Sequence, residues 1–143
     1  MSEYIVRKQI VINATPEQVW DALTNPEKTK EYFFHCEVFS DWKQGSSITF
    51  KGKIFWIINV EMSGTILRIE PGRLLQYTLK NSSDEHGTIS TVTDELTYAN
   101  GVTTLSISDD VGEGEGAEER YEKSMKGWDK VLKGLKELVE QDA

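Results

Sequence analysis

The reactive side chains of this chain are few, and their spacing matches no common catalytic motif. His35 and Cys36 are sequence neighbours, and His86 is the second histidine. An imidazole beside a thiol can activate it as a nucleophile, but neighbours on a strand point to opposite faces. We therefore expect no thiolate–imidazole pair from His35 and Cys36. Nucleophile-elbow, phosphate-loop, paired-cysteine and H-E-x-x-H motifs are absent. Acid–base chemistry by Asp, Glu or Tyr inside a pocket remains open, although no motif marks it.

A cluster of carboxylates between residues 109 and 119 raises the question of a cation site. Its members are Asp109, Asp110, Glu113, Glu115, Glu118 and Glu119. Their spacing does not reproduce a calcium loop, whose ligands fall at fixed offsets. Acidic residues ahead of a helix also interact favourably with its N-terminal end. We predict a flexible, solvated acidic loop, with no metal ion and no cofactor.

The last part of the chain carries a continuous apolar stripe at helical spacing. The stripe consists of Tyr121, Met125, Trp128, Leu132, Leu135 and Val139. Such spacing indicates one face of a long α-helix. Its first half offers Tyr, Met and Trp, which suggests a lined space, whereas the alternative is simple core packing. Gly127 lies within the first half of this helix. A glycine there indicates a close approach by the sheet or room for a ligand, and the alternative is a surface position that tolerates glycine.

Helix-start motifs and alternating apolar residues predict the helices and strands that must pack against this long helix. Tyr4–Ile12 alternates as a strand. Thr15 and Gln18 can form a capping box around Pro16, and Asn25-Pro26 repeats the start signal. We therefore expect two short helices, the second ending at Phe33 or Phe34.

Strands dominate the middle of the chain. Turns are predicted at Glu70-Pro71-Gly72-Arg73 and at Asn100-Gly101. The predicted strands lie at residues 37–39, 47–51, 60–69, 74–79, 90–98 and 102–108. This order predicts one α+β domain over residues 1–143. A curved antiparallel sheet of about six to seven strands should grip the long C-terminal helix, with two short helices after the first strand.

Composition excludes several classes of function. The chain has 143 residues and a formal net charge of −8, so it lacks the positive surface that nucleic acids require. One cysteine and no basic, apolar leader predict a cytoplasmic protein. The longest apolar run, Ile54 to Ile58, is too short for membrane insertion. That run predicts a portal lip, a partner contact or a dimer surface, and the alternative is a bulged strand buried by the short helices.

Four stretches of the sequence resemble a known family. They are I-x-I-x-A-x-P-E-x-V-W-x-A-L-T-x-P-E from Ile10 to Glu27, Tyr32-Phe33, G-x-I-x-x-I-E-P-x-x-x-L from Gly64 to Leu75, and G-W-x-x-x-L-x-x-L-K from Gly127 to Lys136. On these motifs the chain resembles the START-like helix-grip (SRPBCC) superfamily. Within it, the chain is most similar to the domain related to activators of the heat-shock protein 90 ATPase.

The resemblance implies a hydrophobic pocket between the sheet and the final helix. Together with the alternation, it predicts a ligand site lined by Phe33, Met62, Ile66, Tyr77, Val92, Leu96, Leu105, Ile107, Tyr121, Met125 and Trp128. We expect a binding module for a small apolar or amphipathic molecule, lipid-like or planar and aromatic. The alternatives are a co-chaperone-like module that contacts an ATPase partner, and an enzyme of the cyclase or hydrolase type that uses the same cavity.

Overall fold

The structure is a computed structural model that describes residues 4–54, 58–81 and 89–142. Seven antiparallel strands form one sheet in the order β1-β7-β6-β5-β4-β3-β2, and a 26-residue helix crosses it. The strands are β1 (Ile5–Ile12), β2 (Cys36–Ser40), β3 (Ser47–Ile54), β4 (Ile58–Glu70), β5 (Leu74–Asn81), β6 (Ser90–Ala99) and β7 (Val102–Asp110). The helices are α1 (Pro16–Thr24), α2 (Pro26–Tyr32) and α3 (Ala117–Asp142). The predicted helix-grip fold is confirmed.

The two short helices begin where the sequence predicts. Thr15 and Gln18 form the capping box of α1, and the Asn25 side chain accepts a hydrogen bond from the Glu27 N–H at the start of α2. The second helix ends at Tyr32, one or two residues earlier than expected. Phe34 and His35 adopt φ angles of 52° and 60°. Such left-handed residues cannot continue a right-handed helix, and they turn the chain into β2.

The strand ends differ modestly from the prediction. The β6–β7 turn has φ angles of 55° at Asn100 and 82° at Gly101, as a tight hairpin requires. Strand β7 extends to Asp110 because Ile5 of β1 pairs with that residue. The apolar run Ile54 to Ile58 lies largely outside the described residues, as does His86.

Helix α3 packs unevenly along its length. Leu132, Leu135 and Val139 are buried in a cluster with residues of α1, β1, β6 and β7. Trp128, in the middle of the same stripe, is only partly buried. Its indole packs against both buried clusters of the protein and faces a pocket described below. None of the helices in the described ranges is long and apolar enough to cross a membrane.

Strands β4 and β5 approach each other closely at Gly64. A methyl group at this position would lie 1.7 Å from the carbonyl oxygen of Thr78, far inside van der Waals contact. The neighbouring N–H of Thr65 donates to the Thr78 hydroxyl at 3.0 Å. This approach sets the spacing of the strands that carry Met62 and Leu79 toward the helix.

Replacing Gly64 by alanine should therefore destabilise the protein by more than about 2 kcal/mol, because the added methyl forces the strands apart. Denaturant unfolding measures the loss. Ser63→Ala, at an exposed position of the same strand, is the control and should change stability by less than about 0.5 kcal/mol. Equal, small losses in both variants would contradict the close approach.

Candidate functional site

Two carboxylates lie on the inner face of the sheet. On β6, Asp94 alternates with the buried residues Val92 and Leu96, and on β7, Asp109 follows Leu105 and Ile107 at the same spacing. Asp94 is 5% exposed and Asp109 7% exposed. Asp94 pairs with Ile107, and Val92 pairs with Asp109. The two aspartates are therefore diagonal neighbours on one face.

A pocket of about 310 Å³ lies between the sheet and the first half of α3. Strands β4 to β7, the segment after α2 and helix α3 all contribute to its wall. The described lining residues are Phe33, Phe34, Met62, Leu79, Ser90, Val92, Asp109, Val111, Arg120, Lys123, Ser124, Gly127 and Trp128. We call this space the outer pocket. Most of its large side chains are apolar, and its polar groups cluster around Asp109 and the helix.

Asp109 is the buried polar group of the outer pocket. Its Oδ2 accepts hydrogen bonds from Ser124 Oγ at 2.7 Å and from Trp128 Nε1 at 2.9 Å. Its Oδ1 is buried and has no hydrogen-bond partner among the described residues. Burial raises the pKa of Asp109, and the side chains of Ser124, Trp128 and Ser90 act in the opposite direction as hydrogen-bond donors. The Ser90 hydroxyl also lies 3.5 Å from the carbonyl oxygen of Leu79.

The acidic segment after β7 is more ordered than the sequence suggests. Arg120 donates to the backbone oxygens of Val111, Glu115 and Glu113 at 2.9, 2.8 and 3.2 Å. The guanidinium therefore holds the loop through its carbonyls rather than its carboxylates. Asp109 itself does not belong to a solvated loop, because the pairing with β1 keeps it inside the sheet. Within the described residues, no cluster of three metal-ligating side chains occurs.

A second, smaller cavity of about 20 Å³ lies deeper in the molecule. We call it the inner cavity, and it has room for about one water molecule. Its polar groups belong to Asp94, Tyr32 and Tyr77. Burial, helped by the nearby Asp109, raises the pKa of Asp94 from 3.8 to about 7. Burial, and next the charge of Asp94, also raise the pKa values of both tyrosines.

Gly127 lets an aromatic ring reach the helix. The Phe34 ring comes within 3.4 Å of the position that a Cβ of Gly127 would occupy. Phe34 is 41% exposed and borders the outer pocket. An added methyl at Gly127 would thus meet the ring at the edge of ordinary contact distance, in the wall of the outer pocket.

The predicted site residues separate into four groups. Phe33, Met62, Val92 and Trp128 line the outer pocket, and Phe33, Tyr77, Leu105 and Trp128 line the inner cavity. Ile66, Leu96 and Ile107 are buried core residues. Tyr121 and Met125 lie outside both cavities, and the Tyr121 ring contacts Tyr4 edge-on at 6.2 Å between centroids.

Neither aspartate was predicted to face the interior: Asp94 had no predicted role, and Asp109 was expected in a solvated loop. Their inward direction is nevertheless indicated by the alternating patterns Val92-x-Asp94-x-Leu96 and Leu105-x-Ile107-x-Asp109, since strand residues two apart share a face. Phe34 had no comparable signal, because its position depends on the left-handed turn.

His35 and Cys36 do not form a reactive pair. His35 is exposed, whereas Cys36 is completely buried. Burial raises the pKa of the Cys36 thiol to about 11, and its Sγ lies 3.5 Å from the carbonyl oxygen of Phe34. A buried thiol of high pKa is a poor nucleophile at neutral pH.

Comparison with known proteins gives a family and a fold. A family model described as "Activator of Hsp90 ATPase homolog 1-like protein" matches residues 13–140. The chain is 34% identical to ChR145 from Cytophaga hutchinsonii, covering 99% of this chain and 97% of that chain with a TM-score of 0.77. A search of curated proteins found no match.

Two further solved structures share the fold at lower identity. Protein MLL2253 from Mesorhizobium loti is 23% identical, with 97% of this chain and 98% of that chain covered and a TM-score of 0.80. CalU16 from Micromonospora echinospora is 24% identical, with 94% and 74% covered and a TM-score of 0.69.

The raised pKa of Asp94 makes stability depend on pH. Between about pH 4 and pH 7 the folded protein retains a proton on Asp94 that the unfolded chain has lost, so the free energy of unfolding falls as pH rises. Asp94→Asn removes this contribution. The variant should match the wild type near pH 4 and be more stable by about 2–4 kcal/mol at pH 8.

Denaturant unfolding of both proteins across this pH range measures the difference. Glu95→Gln, at the exposed neighbouring position, controls for the loss of one carboxylate. A difference between Asp94→Asn and wild type that stays constant with pH would contradict a protonated, buried Asp94.

Proposed function

Because the chain belongs to the family of Activator of Hsp90 ATPase homolog 1-like proteins, whose START-like fold it shares, we propose that it binds a small amphipathic molecule in the outer pocket. The observation that supports this most is the pocket itself. It offers about 310 Å³, within the usual size of a ligand site, and one buried carboxylate oxygen in its wall lacks a partner.

The unpartnered oxygen of Asp109 favours a ligand over an empty space. A buried polar atom without a hydrogen bond costs about 1–3 kcal/mol, and Asp109 Oδ1 is such an atom. A ligand with a hydroxyl, amino or amide donor supplies the missing bond. The bonds from Ser124 and Trp128 to Oδ2 explain only one of the two carboxylate oxygens.

The wall defines the rest of the ligand. Phe33, Phe34 and Met62 offer two rings and a flexible thioether, which suit an alkyl chain or a planar ring. A carboxylate ligand would meet the like charge of Asp109. If it bound, its head group would have to stay near Lys123, whose side chain is 77% exposed and paired with Glu119 at 3.1 Å. We therefore favour neutral or cationic amphipathic ligands.

A second candidate function is acid–base catalysis on the bound molecule. Two diagonal carboxylates with raised pKa values are the kind of pair that enzymes use as acid and base. Incubation of the protein with each molecule that binds, followed by mass spectrometry, tests this function. Catalysis predicts a product that Asp94→Asn and Asp109→Asn abolish while binding persists. An unchanged ligand in the wild-type reaction would exclude this function for that molecule.

Filling the outer pocket should abolish binding without harm to the fold. Gly127→Leu places a branched side chain in the pocket wall. Leucine is also a better helix former than glycine by about 0.8 kcal/mol, so the fold should keep its stability. We expect at least a tenfold loss of affinity for any alcohol or amine that binds the wild type, measured by chemical-shift titration.

Lys130→Leu supplies the matched control, since it adds the same side chain to an exposed position of α3 and should leave affinity unchanged. A screen of long-chain alcohols, amines and aromatic alcohols in which nothing binds the wild type would overturn the proposed function. Equal affinity of Gly127→Leu and wild type would place the ligand elsewhere.

A further inference from the structure

We propose that the inner cavity is the deep end of the ligand site, and that it receives a terminal hydroxyl or amino group of the bound molecule, which donates to Asp94. This inference rests on the proposed function, because the ligand must first occupy the outer pocket. It adds a second polar contact and a direction of entry to that function.

The two cavities are separated by two side chains. Of the described residues, only Phe33 and Trp128 line both spaces, and their ring centroids are 5.9 Å apart in an edge-on arrangement. Phe33 also stacks on Phe50 at 4.7 Å. The partition is thus an aromatic contact and not a strand or a helix, so a shift of ring positions joins the spaces.

Phe33 lies at the junction between α2 and the strand that follows. It forms the C-cap of α2, and the left-handed residues Phe34 and His35 follow it. Its N–H donates to Thr29 O at 2.7 Å and its carbonyl accepts from the Cys36 N–H at 2.8 Å, so the shift that joins the two spaces is one of its ring and not of its backbone. Non-glycine residues in the left-handed conformation are strained and concentrate at ligand sites.

Asp94 is 5% exposed and borders the inner cavity. Burial and the charge of Asp109 raise its pKa, and no hydrogen bond from a described side chain acts on it. Tyr32, which lines the same cavity, donates instead to the carbonyl oxygen of Ala22 at 2.7 Å. An isolated carboxylate in an apolar core is costly, and a leucine would pack there at lower cost. A donor that enters the cavity gives the residue a role.

The size of the inner cavity limits which group can enter. About 20 Å³ holds a single water molecule or a group of that size. A hydroxyl or an amino group at the end of a narrow chain fits, whereas a ring or a branched end does not. The ligand class is accordingly a slender apolar molecule whose polar end enters first.

Two probes that differ by one donor test the inference. 1-Octanol ends in a hydroxyl, and 1-methoxyoctane has the same chain with the donor blocked. Both are titrated into wild type, Asp94→Leu and Asp109→Asn, and methyl resonances are followed. Leu105 and Leu135 report on the inner cavity, and Met62 and Val92 report on the outer pocket. The titrations are run at pH 8, above the raised pKa of Asp94, where a hydrogen bond to its charged carboxylate favours the alcohol by at least about tenfold.

The inference expects the wild type to prefer 1-octanol with shifts at both sets of methyls. Asp94→Leu should lose this preference yet still bind both probes, and Asp109→Asn should keep it. If Asp94→Leu fails to fold, Asp94→Val takes its place.

A preference that disappears only in Asp109→Asn, with shifts confined to Met62 and Val92, would overturn the inner site and leave the proposed function intact. Equal affinity of the wild type for both probes would also overturn it, since a water would then fill the cavity. No binding of either probe to the wild type would count against the proposed function for this ligand class, and the inference would fall with it.

Discussion

The hydrogen bond from Trp128 to Asp109 connects helix α3 to the sheet at the point where the two begin to separate. The indole N–H lies 2.9 Å from Oδ2, and the same ring packs against both buried clusters. Toward the C-terminus of α3, packing is closed around Leu132 and Leu135. Toward its N-terminus, the outer pocket opens. The bond fixes where the core ends and the pocket begins, and the unused oxygen of Asp109 follows from it.

Three features of the surrounding chain maintain the shape of the outer pocket. The close contact at Gly64 sets the spacing of β4 and β5. The left-handed pair Phe34–His35 directs an aromatic ring onto α3, where Gly127 leaves room for it. Arg120 binds three backbone oxygens of the segment after β7. Each feature shapes one wall of the outer pocket, and Arg120 also lines it.

The sequence predicts the fold well because its signals are local. The capping box at Thr15, the turns at Gly72 and Asn100-Gly101, and the stripe on α3 each determine nearby backbone, and the structure confirms them. The pocket is less predictable, because it depends on which alternating residues meet across strands. Ile66, Leu96 and Ile107 have the same periodicity as Val92 and Leu105, yet only the register decides which of them border a cavity.

The two aspartates show a different limit. Their alternation was visible, but a carboxylate between buried positions contradicts the usual preference of polar residues for the surface. Asp109 also stands at the start of a run of acids, which suggests a loop until the pairing with β1 extends the strand. The position of Phe34 cannot be predicted from the neighbouring sequence. It depends on a strained turn and on the contact with Gly127, which lies 93 positions later.

The uneven burial of α3 has a dynamic consequence. The side chains of Val131, Leu132, Leu135 and Val139 are buried, whereas those of Tyr121 and Met125 are only partly covered. Local opening requires the least free energy where few apolar contacts must break. Hydrogen exchange should thus be faster in the first turns of the helix than in the last. Access to the interior then comes from fraying at the amino-terminal turns of α3, while the sheet and the carboxy-terminal turns stay shut.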